Sequence, residues 1–302
     1  MGLRSLMLYL SRRKRLRRWM ETSPVAERLT TRFIAGLTLD DGLAACERLE
    51  REGILVSMDR LGESVTSLAE AEASRDSYLE ILHRIAASGF DASISIKLTQ
   101  FGLDLSETAC RANMERLVSE AARLGKTVEI DMESSEYTDR TLEIACAMHE
   151  AHGNVRAVVQ AYLRRSEKDV ERMCAQRVPV RLCKGAYKEP PELAFPDKKD
   201  VNANYDKLAR LLLKAPNPAF ATHDDDRIAA AVAAAGQAGL PKTTYEIQML
   251  YGLRAKRWKE LAAAGHVVRI YTPYGTHWFP YFCRRIRERK ENLMFVLRNF
   301  FE

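Results

Sequence analysis

Eight short runs of β-branched and other apolar residues, each followed by a longer amphipathic stretch, constrain the fold of this chain more than any other feature. The runs begin after residue 53, and a polar residue stands at or near the end of most of them. Such runs are typical of buried strands, and the stretches between them have helical spacing. The predicted strands are 54–59, 93–99, 127–132, 155–161, 178–184, 219–223, 243–249 and 267–272.

The intervening stretches predict helices, and Ser106 stands where one of them would have its N-cap. Strands that alternate with helices pair in parallel, and eight of them predict closure into a barrel rather than an open sheet. We therefore predict an α/β fold, a (β/α)8 barrel of the TIM type that is distorted from the ideal form. The predicted helices are 67–88, 106–124, 136–152, 167–177, 201–214, 225–238 and 253–264.

A length of 302 residues accommodates one such barrel with an appendage. We predict a helical arm at 1–52 and a catalytic barrel domain at 53–302. Within that domain, 277–302 predicts a terminal helix that contributes to the site. Residues 188–200, which include three prolines, predict a loop in a position where barrels carry functional groups.

The net charge of +6 belongs to one end of the chain. Of the 47 basic residues, seven lie within 1–20, where there is no acidic residue, which leaves 40 basic against 41 acidic residues elsewhere. A basic nucleic-acid-binding surface on the barrel is therefore not expected, and we predict no nucleic-acid partner. No apolar run approaches the roughly 20 residues that span a bilayer.

The basic arm carries Leu3, Leu6, Met7 and Leu10 at the spacing of one helix face, ahead of the basic residues. Two interpretations stay open: an amphipathic helix in a membrane interface, or a helix docked on the protein's own surface. A secretory signal is disfavoured because the apolar stretch precedes the charges and no small-residue cleavage site follows.

Six cysteines are scattered without a C-x-x-C pair, which predicts reduced thiols in a cytoplasmic protein and no metal site. The sequence also lacks a P-loop and a G-x-G-x-x-G motif after a strand. A nucleotide cofactor would therefore have to bind on the barrel itself.

Polar residues stand at the ends of the predicted strands, where a barrel carries its catalytic groups. A solvated strand end explains any one of them, but chance explains the whole set poorly. The residues are Asp59, Lys97, Asp131, Glu133, Gln160, Arg181, Lys184, Thr222, His223, Glu246, Gln248, Tyr271 and Tyr274.

A second set of residues shares one face of the predicted terminal helix: Tyr281, Arg284, Arg285 and Glu288. Glu288 can hold one or both guanidinium groups, and two arginines against one glutamate leave a surplus positive charge. Planar guanidinium groups suit a carboxylate ligand. The alternative is a solvated charged helix, but the neighbouring Tyr-x-Pro-Tyr-Gly turn favours a binding site.

Seven segments between about residues 90 and 291 resemble those of the proline dehydrogenases, in the same order along the chain. The most specific are RLCKGAY and the closing Y-x-P-Y-G and Y-x-x-R-R-x-x-E patterns. The segments are ISIKLTQFG, VEIDMESSEYTDRT, VVQAYLRR, RLCKGAYKEP, FATHD, YEIQMLYG and YTPYGTHWFPYFCRRIRE.

The resemblance implies a monofunctional, FAD-dependent enzyme of the bacterial type. It makes Asp131 and Arg181 catalytic, with Arg181 near the reactive flavin nitrogen, and it gives Glu288 the task of orienting the arginines. The substrate contacts that it implies are Lys97, Leu250, Tyr271, Tyr281, Arg284 and Arg285. The flavin contacts that it implies are Met132, Gln160, Arg181, Lys184, Gly185, Ala186, Thr222 and His223.

The activity that the resemblance implies is oxidation of L-proline to Δ1-pyrroline-5-carboxylate by hydride transfer to FAD, with electrons passed to a membrane quinone. This reaction is the first step of proline catabolism to glutamate, and a pyrroline-5-carboxylate dehydrogenase is a candidate partner. Together with the basic arm, it implies a cytoplasmic protein peripheral to the inner face of the cytoplasmic membrane. Solvent and Asp131 are both candidate acceptors of the proton on the proline nitrogen, because no histidine occupies an obvious base position.

Two other functions stay open at this stage. Lys97 and Lys184 both lie at strand ends, as the Schiff-base lysine of an aldolase would. The other alternative is a non-catalytic lipid-binding module built on the basic arm. A bound flavin that proline reduces would argue against both.

Overall fold

Eight parallel strands form a closed barrel at the centre of the molecule. The computed structural model describes residues 33–62 and 64–288, with side chains described as far as Arg285. Neighbouring strands follow chain order around the barrel, and β8 pairs with β1 to close it. The strands are β1 (Leu55–Arg60), β2 (Ala92–Ile96), β3 (Val128–Ile130), β4 (Val155–Gln160), β5 (Val180–Cys183), β6 (Ala219–Ala221), β7 (Glu246–Leu250) and β8 (Val267–Tyr274).

Helices alternate with the strands, so the predicted (β/α)8 barrel is confirmed. The first described helix comes from the predicted arm and packs against β1 and β8. The domain boundary after residue 52 stays a prediction, and residues 1–32 of the arm lie outside the described part of the chain. The helices are α1 (Leu39–Glu50), α2 (Leu68–Ser88), α3 (Glu107–Arg123), α4 (Thr138–His152), α5 (Ser166–Ala175), α6 (Lys198–Leu212), α7 (Asp225–Gln237), α8 (Ala255–Ala263) and α9 (Phe279–Glu288).

Polar N-caps begin several of these helices. The Ser106 hydroxyl accepts a hydrogen bond from the backbone N–H of Ala109, as the sequence predicts. Thr38 and Asp41 form a reciprocal capping box at the start of α1. These bonds satisfy N–H groups that the first turn of a helix leaves without partners. Helix α6 begins at Lys198, three residues earlier than predicted, so the loop after β5 is correspondingly shorter.

Several strands end earlier than predicted, and the barrel is uneven as a result. Strands β3 and β6 have three residues each, whereas β8 has eight. Asp131, Met132, Thr222 and His223 therefore lie beyond the hydrogen-bonded ladder. Residues that follow a barrel strand turn into the C-terminal mouth, which is where the active sites of such barrels lie.

The strands present apolar residues to the helices and polar residues to the lumen. On β1, Val56 and Met58 belong to the main hydrophobic core. Ser57, between them, receives a hydrogen bond from Arg181 on β5, a strand that does not neighbour β1, so this contact crosses the lumen. Barrel lumens are more often filled with branched apolar side chains. The polar lumen is therefore the feature from which the site is built.

Candidate active site

Charged side chains fill the end of the lumen nearest the N-termini of the strands. Arg156 Nη1 donates to Glu129 Oε1 at 2.7 Å and to Glu246 Oε2 at 2.9 Å. Arg269 Nε and Nη2 donate to the two carboxylate oxygens of Glu246 at 2.9 and 3.0 Å. All four residues are buried. We call Glu129, Arg156, Glu246 and Arg269 the floor network.

Glu246 lies at the opposite end of its strand from the one that the sequence predicts. It is the first residue of β7, because 242–244 form a 3-10 turn instead of the start of the strand. Burial would raise the pKa of this carboxyl group, but Arg269 and Arg156 hold the pKa far below its usual value. Glu246 is therefore a charged member of the floor network and not part of the mouth.

Arg181 connects the floor network to the mouth. Its Nη2 donates to Glu129, and its Nη1 donates to Asp131 Oδ1 at 2.8 Å. Nε donates to Gln248 Oε1 at 2.6 Å, and Nη1 also donates to Ser95 Oγ at 2.9 Å. Burial would lower the pKa of the guanidinium group, but Glu129 and Asp131 raise it above its usual value. The predicted catalytic pair Asp131 and Arg181 is thus in direct contact, and Arg181 stays charged.

The mouth holds one ammonium group between two carboxylates. Lys97 Nζ lies 3.4 Å from Asp59 Oδ1, 3.4 Å from Asp131 Oδ2 and 3.3 Å from the Tyr271 hydroxyl, which itself donates to Asp131 Oδ2 at 3.0 Å. We call Asp59, Lys97, Asp131 and Tyr271 the mouth cluster. Burial would lower the pKa of Lys97, but Asp59 and Asp131 raise it, so the side chain stays protonated.

The sequence analysis missed Glu129 and named Asp59 only as one of the polar residues at the strand ends. Asp59 is 1% exposed and accepts hydrogen bonds from Lys97 and from the Tyr78 hydroxyl. Glu129 has no exposed surface and lies two residues before Asp131 on the same strand face. The period of two along a strand is a signal that could have found Glu129, because it lies two positions before Asp131 and residues i and i+2 share a face.

Helix α9 crosses the mouth and is held by a hydrophobic cluster separate from the main core. Trp278, Phe279 and Phe282 pack in it with residues that precede α1 and follow β1 and β7. Leu250 and Tyr271, two predicted substrate contacts, pack against this cluster, to which Tyr281 belongs. The predicted walls of the substrate site therefore meet where α9 covers the barrel.

The two arginines of α9 stack over aromatic rings. The Arg285 guanidinium carbon lies 4.9 Å from the centre of the Tyr281 ring, and that of Arg284 lies 5.6 Å from the centre of the Tyr187 ring. Arg285 is buried, whereas Arg284 is partly exposed. Glu288 belongs to α9, but its side chain is outside the described part of the chain, so its orienting role stays a prediction.

The loop after β5 comes close to β4 at the predicted flavin contacts. Gln160 Nε2 donates to the Glu133 carbonyl at 2.9 Å, and its Oε1 accepts from the Ala186 N–H at 3.3 Å. Gly185 has φ +117°, and a Cβ there would lie 2.2 Å from the Tyr162 ring. Only glycine fits this backbone conformation and this approach. Met132 on β3's side of the mouth is buried.

Three further predicted flavin contacts lie at the ends of β5 and β6. Lys184 Nζ donates to Asp224 Oδ2 and Asn202 Oδ1, both at 2.6 Å. Thr222 Oγ1 accepts from the Asp224 N–H at 3.1 Å. His223 Nε2 accepts from the Leu250 N–H at 3.1 Å, so Nε2 carries no proton in this arrangement.

Other features of the described chain do not compete with this location. A cavity of about 290 Å³ lies beside the mouth, and Tyr274 is among its lining residues, but none of the predicted substrate or flavin contacts lines it. Within 33–62 and 64–288, no group of three His, Cys, Asp or Glu side chains is arranged to hold a metal ion. The six cysteines are free thiols.

Comparisons with known proteins agree with the motifs. The family model described as proline dehydrogenase matches residues 42–298. The chain is 38% identical over 298 residues to proline dehydrogenase 1 of Bacillus subtilis (strain 168), covering 98% of each chain. It is 37% identical over 276 residues to the proline dehydrogenase of Deinococcus radiodurans, covering 89% of each.

Solved structures agree on the fold. The crystal structure of proline utilization A from Bdellovibrio bacteriovorus, inactivated by N-propargylglycine, superposes with a TM-score of 0.82 at 23% identity. The match covers 93% of this chain and 38% of that longer one. The family model and the curated relatives both span most of the chain, and the chain therefore belongs to the proline dehydrogenase family.

Proposed function

We propose that this chain oxidises L-proline to Δ1-pyrroline-5-carboxylate with FAD as the hydride acceptor and passes the electrons to a membrane quinone. Membership of the proline dehydrogenase family supports the substrate and the oxidation. The observation that carries the substrate proposal is the buried Arg285 on α9, stacked on Tyr281 in the cluster against which Leu250 and Tyr271 pack. A fixed cation beside an apolar pocket suits a small cyclic amino acid that has one carboxylate.

Substrate binding follows from the chemistry of these side chains. Arg284 and Arg285 bind the proline carboxylate, while Leu250, Tyr271 and Tyr281 enclose the ring. Charge-assisted bonds from two guanidinium groups fix the orientation as well as the affinity of a carboxylate. Orientation of this kind lowers the barrier by removing the entropy cost of alignment from the chemical step.

The residues at the ends of β4, β5 and β6 fit a flavin nucleotide. They combine an amide, an ammonium group, a hydroxyl and an imidazole with a glycine backbone that has no room for a side chain. FAD, when bound, supplies a two-electron acceptor for the hydride of the carbon next to the proline nitrogen. The residues that would hold it are Met132, Gln160, Arg181, Lys184, Gly185, Ala186, Thr222 and His223.

The geometry favours solvent over Asp131 as the acceptor of the proton on the proline nitrogen. Asp131 Oδ1 already accepts from Arg181 at 2.8 Å and from Ser95 at 3.0 Å. Its Oδ2 lies within reach of Lys97 at 3.4 Å and accepts from Tyr271 at 3.0 Å. A carboxylate has about four lone-pair sites, so these four contacts leave none directed at the substrate.

The Schiff-base alternative is disfavoured by the same contacts. An aldolase lysine acts as the neutral amine, whose formation a desolvated pocket or a neighbouring cation favours. Lys97 lies between two carboxylates that raise its pKa, and Lys184 is paired with Asp224. Neither lysine has the environment of a nucleophilic amine.

A visible spectrum of the purified protein tests the proposal. We expect flavin absorbance that is released into solution by acid precipitation and that is bleached by anaerobic addition of L-proline. D-proline is the matched control and should bleach it far less. Colourless protein, or flavin that L-proline does not reduce, would reject the proposed function.

The quinone and the membrane are tested separately. None of the described helices is both long and apolar enough to cross a membrane, and the basic arm lies outside the described residues. Removal of residues 1–18 should leave proline-dependent reduction of a soluble dye largely intact and weaken binding to anionic vesicles. Vesicle binding that survives the deletion would leave the interpretation of a helix docked on the protein itself.

A further inference from the structure

Eight charged side chains form one alternating chain through the lumen. Each neighbouring pair is joined by an ion pair, and the signs alternate from the barrel floor to the mouth. In order, the residues are Arg269, Glu246, Arg156, Glu129, Arg181, Asp131, Lys97 and Asp59.

Within this series of ion pairs, Glu129 contacts Arg181 from the floor side of the lumen. It has no exposed surface, so neither substrate nor solvent reaches it. Oε1 accepts from Arg156 at 2.7 Å and from Gln248 at 3.2 Å, and Oε2 accepts from Arg181, Ser57 and Ser93. Burial would raise the pKa of Glu129, but Arg181 and Arg156 lower it to about 2, so the carboxylate is charged at neutral pH.

Stability alone does not explain a charged floor. Replacing a buried ion-pair group by well-packed apolar residues is often neutral or stabilising, and apolar residues are the usual filling of a barrel lumen. The contacts instead bear on Arg181. Its two terminal nitrogens are held by Glu129 on one side and by Asp131 on the other, which fixes the plane of the guanidinium group.

The same contacts set the net charge around Arg181. Arg181 carries one positive charge against two carboxylates, of which Glu129 is shared with Arg156. In a buried site, a charge acts over longer distances than in water because the surroundings screen it weakly. Removing the Glu129 charge would therefore leave a larger positive field at the proposed flavin site beside Arg181.

We propose that Glu129 is a positioning residue that fixes the orientation of Arg181 and sets how much of the Arg181 charge acts on the flavin. This inference rests on the proposed function, because it requires a flavin beside Arg181. Glu129 acts through Arg181 and touches no reacting atom.

The midpoint potential of the bound flavin is the measurement that tests this role. Glu129→Gln keeps the size and the hydrogen-bonding oxygen while removing the charge. The unbalanced guanidinium groups should favour the electron-rich reduced flavin, so the potential should rise. A tenfold change in the two-electron equilibrium, which corresponds to about 30 mV, is the expected scale.

Two variants separate charge from structure. Glu129→Asp keeps the charge and should leave the potential near the wild-type value, even if its thermal stability falls. Glu129→Gln combined with Arg156→Met removes one charge of each sign and should return the potential towards the wild-type value. A merely structural role would lower stability in these variants without this pattern of potentials.

The outcomes distinguish this inference from the proposed function. Wild-type protein without a proline-reducible flavin rejects the proposed function. If the wild-type protein carries such a flavin, two results would overturn the role of Glu129. One is a midpoint potential that is unchanged in Glu129→Gln, and the other is a potential that is raised equally in Glu129→Gln and in the double variant. If Glu129→Gln does not fold, Glu246→Gln is measured instead. It lies two ion pairs farther from Arg181 and should raise the potential by a smaller amount, and no rise there would equally overturn the inference.

Discussion

The floor network and the mouth cluster are built from the same kinds of side chain but in different arrangements. At the floor, Arg156 and Arg269 donate to carboxylates at 2.7 to 3.2 Å, with little exposed surface. At the mouth, the Lys97 contacts are 3.3 to 3.5 Å long, and the side chains of Lys97 and Asp131 are 19% and 16% exposed.

The difference shows that charge in a barrel lumen does not by itself mark an active site. The floor satisfies its own charges, whereas the mouth lies open beneath a helix that brings two further arginines. The position along the strands separates the two regions, because the catalytic groups of such barrels lie at the C-terminal ends of the strands.

Arg269→Met should have the most different effects on the two properties that we compare, because it should lower stability strongly and change proline binding little. It leaves Glu246 with one cation fewer in a buried site, and breaking a buried pair costs about 3–5 kcal/mol of unfolding free energy. The KM for proline should change little in the protein that remains folded. Thermal unfolding and steady-state kinetics measure both, with the exposed Arg116→Met as the matched control. A large KM change with unaltered stability would contradict the division.

Acid should weaken the floor as its carboxylates become protonated, and Glu129 contributes to this loss. Its pKa is about 2 when folded and about 4.3 when unfolded. The sign follows from linkage: the carboxylate stabilises the fold above the unfolded pKa, and this contribution is lost as the pH falls from about 4.3 towards 2. Urea unfolding between pH 5 and 3, approximate bounds chosen around that window, should show a shallower pH dependence for Glu129→Gln than for the wild type. An equal dependence would mean that Glu129 does not titrate in this way.

Arg285→Met tests the mouth, where the effect should fall on substrate and not on stability. Loss of one charge-assisted bond to a carboxylate costs roughly 1.5–3 kcal/mol, so the proline KM should rise about ten- to a hundredfold. Arg285→Lys should restore only part of the affinity for proline, because lysine lacks the planar guanidinium group. Pyrrolidine, the same ring without the carboxylate, is the control. If its oxidation suffers as much as that of proline, Arg285 does not bind the carboxylate.

Ser95→Ala lies on the border of the two regions and should have the smallest effect. The hydroxyl donates to Asp131 at 3.0 Å and accepts from Arg181 at 2.9 Å, but those two residues also contact each other directly. We expect a loss of about 1 kcal/mol in unfolding free energy and a change in proline KM of less than about threefold. The same thermal and kinetic assays suffice. An effect as large as that of Arg285→Met would show that the border residue belongs to the mouth.

The barrel and much of the mouth cluster could be predicted from the sequence. Strand-helix alternation is local, and Lys97 and Asp131 follow strands directly, so their meeting at one end requires only parallel pairing. The floor was not predictable in the same way. Arg156 meets Glu246 only because the sheet closes and lets side chains of β4 and β7, which are not neighbours, meet in the lumen. The lengths of the strands also mattered, since the late start of β7 moved Glu246 to the floor.

The separate hydrophobic cluster beneath α9 has a consequence for the order of events during synthesis. Strand β8 completes the barrel by pairing with β1, and α9 follows it in the chain. Domains generally fold as units while the chain emerges from the ribosome. A nascent chain that ends at Tyr274 contains all eight strands and every charged residue of the lumen, but it lacks Arg284 and Arg285, which we propose bind the substrate carboxylate. On that proposal, the residues that recognise proline are synthesised after all eight strands of the barrel, in a segment that packs in a hydrophobic cluster separate from the main core.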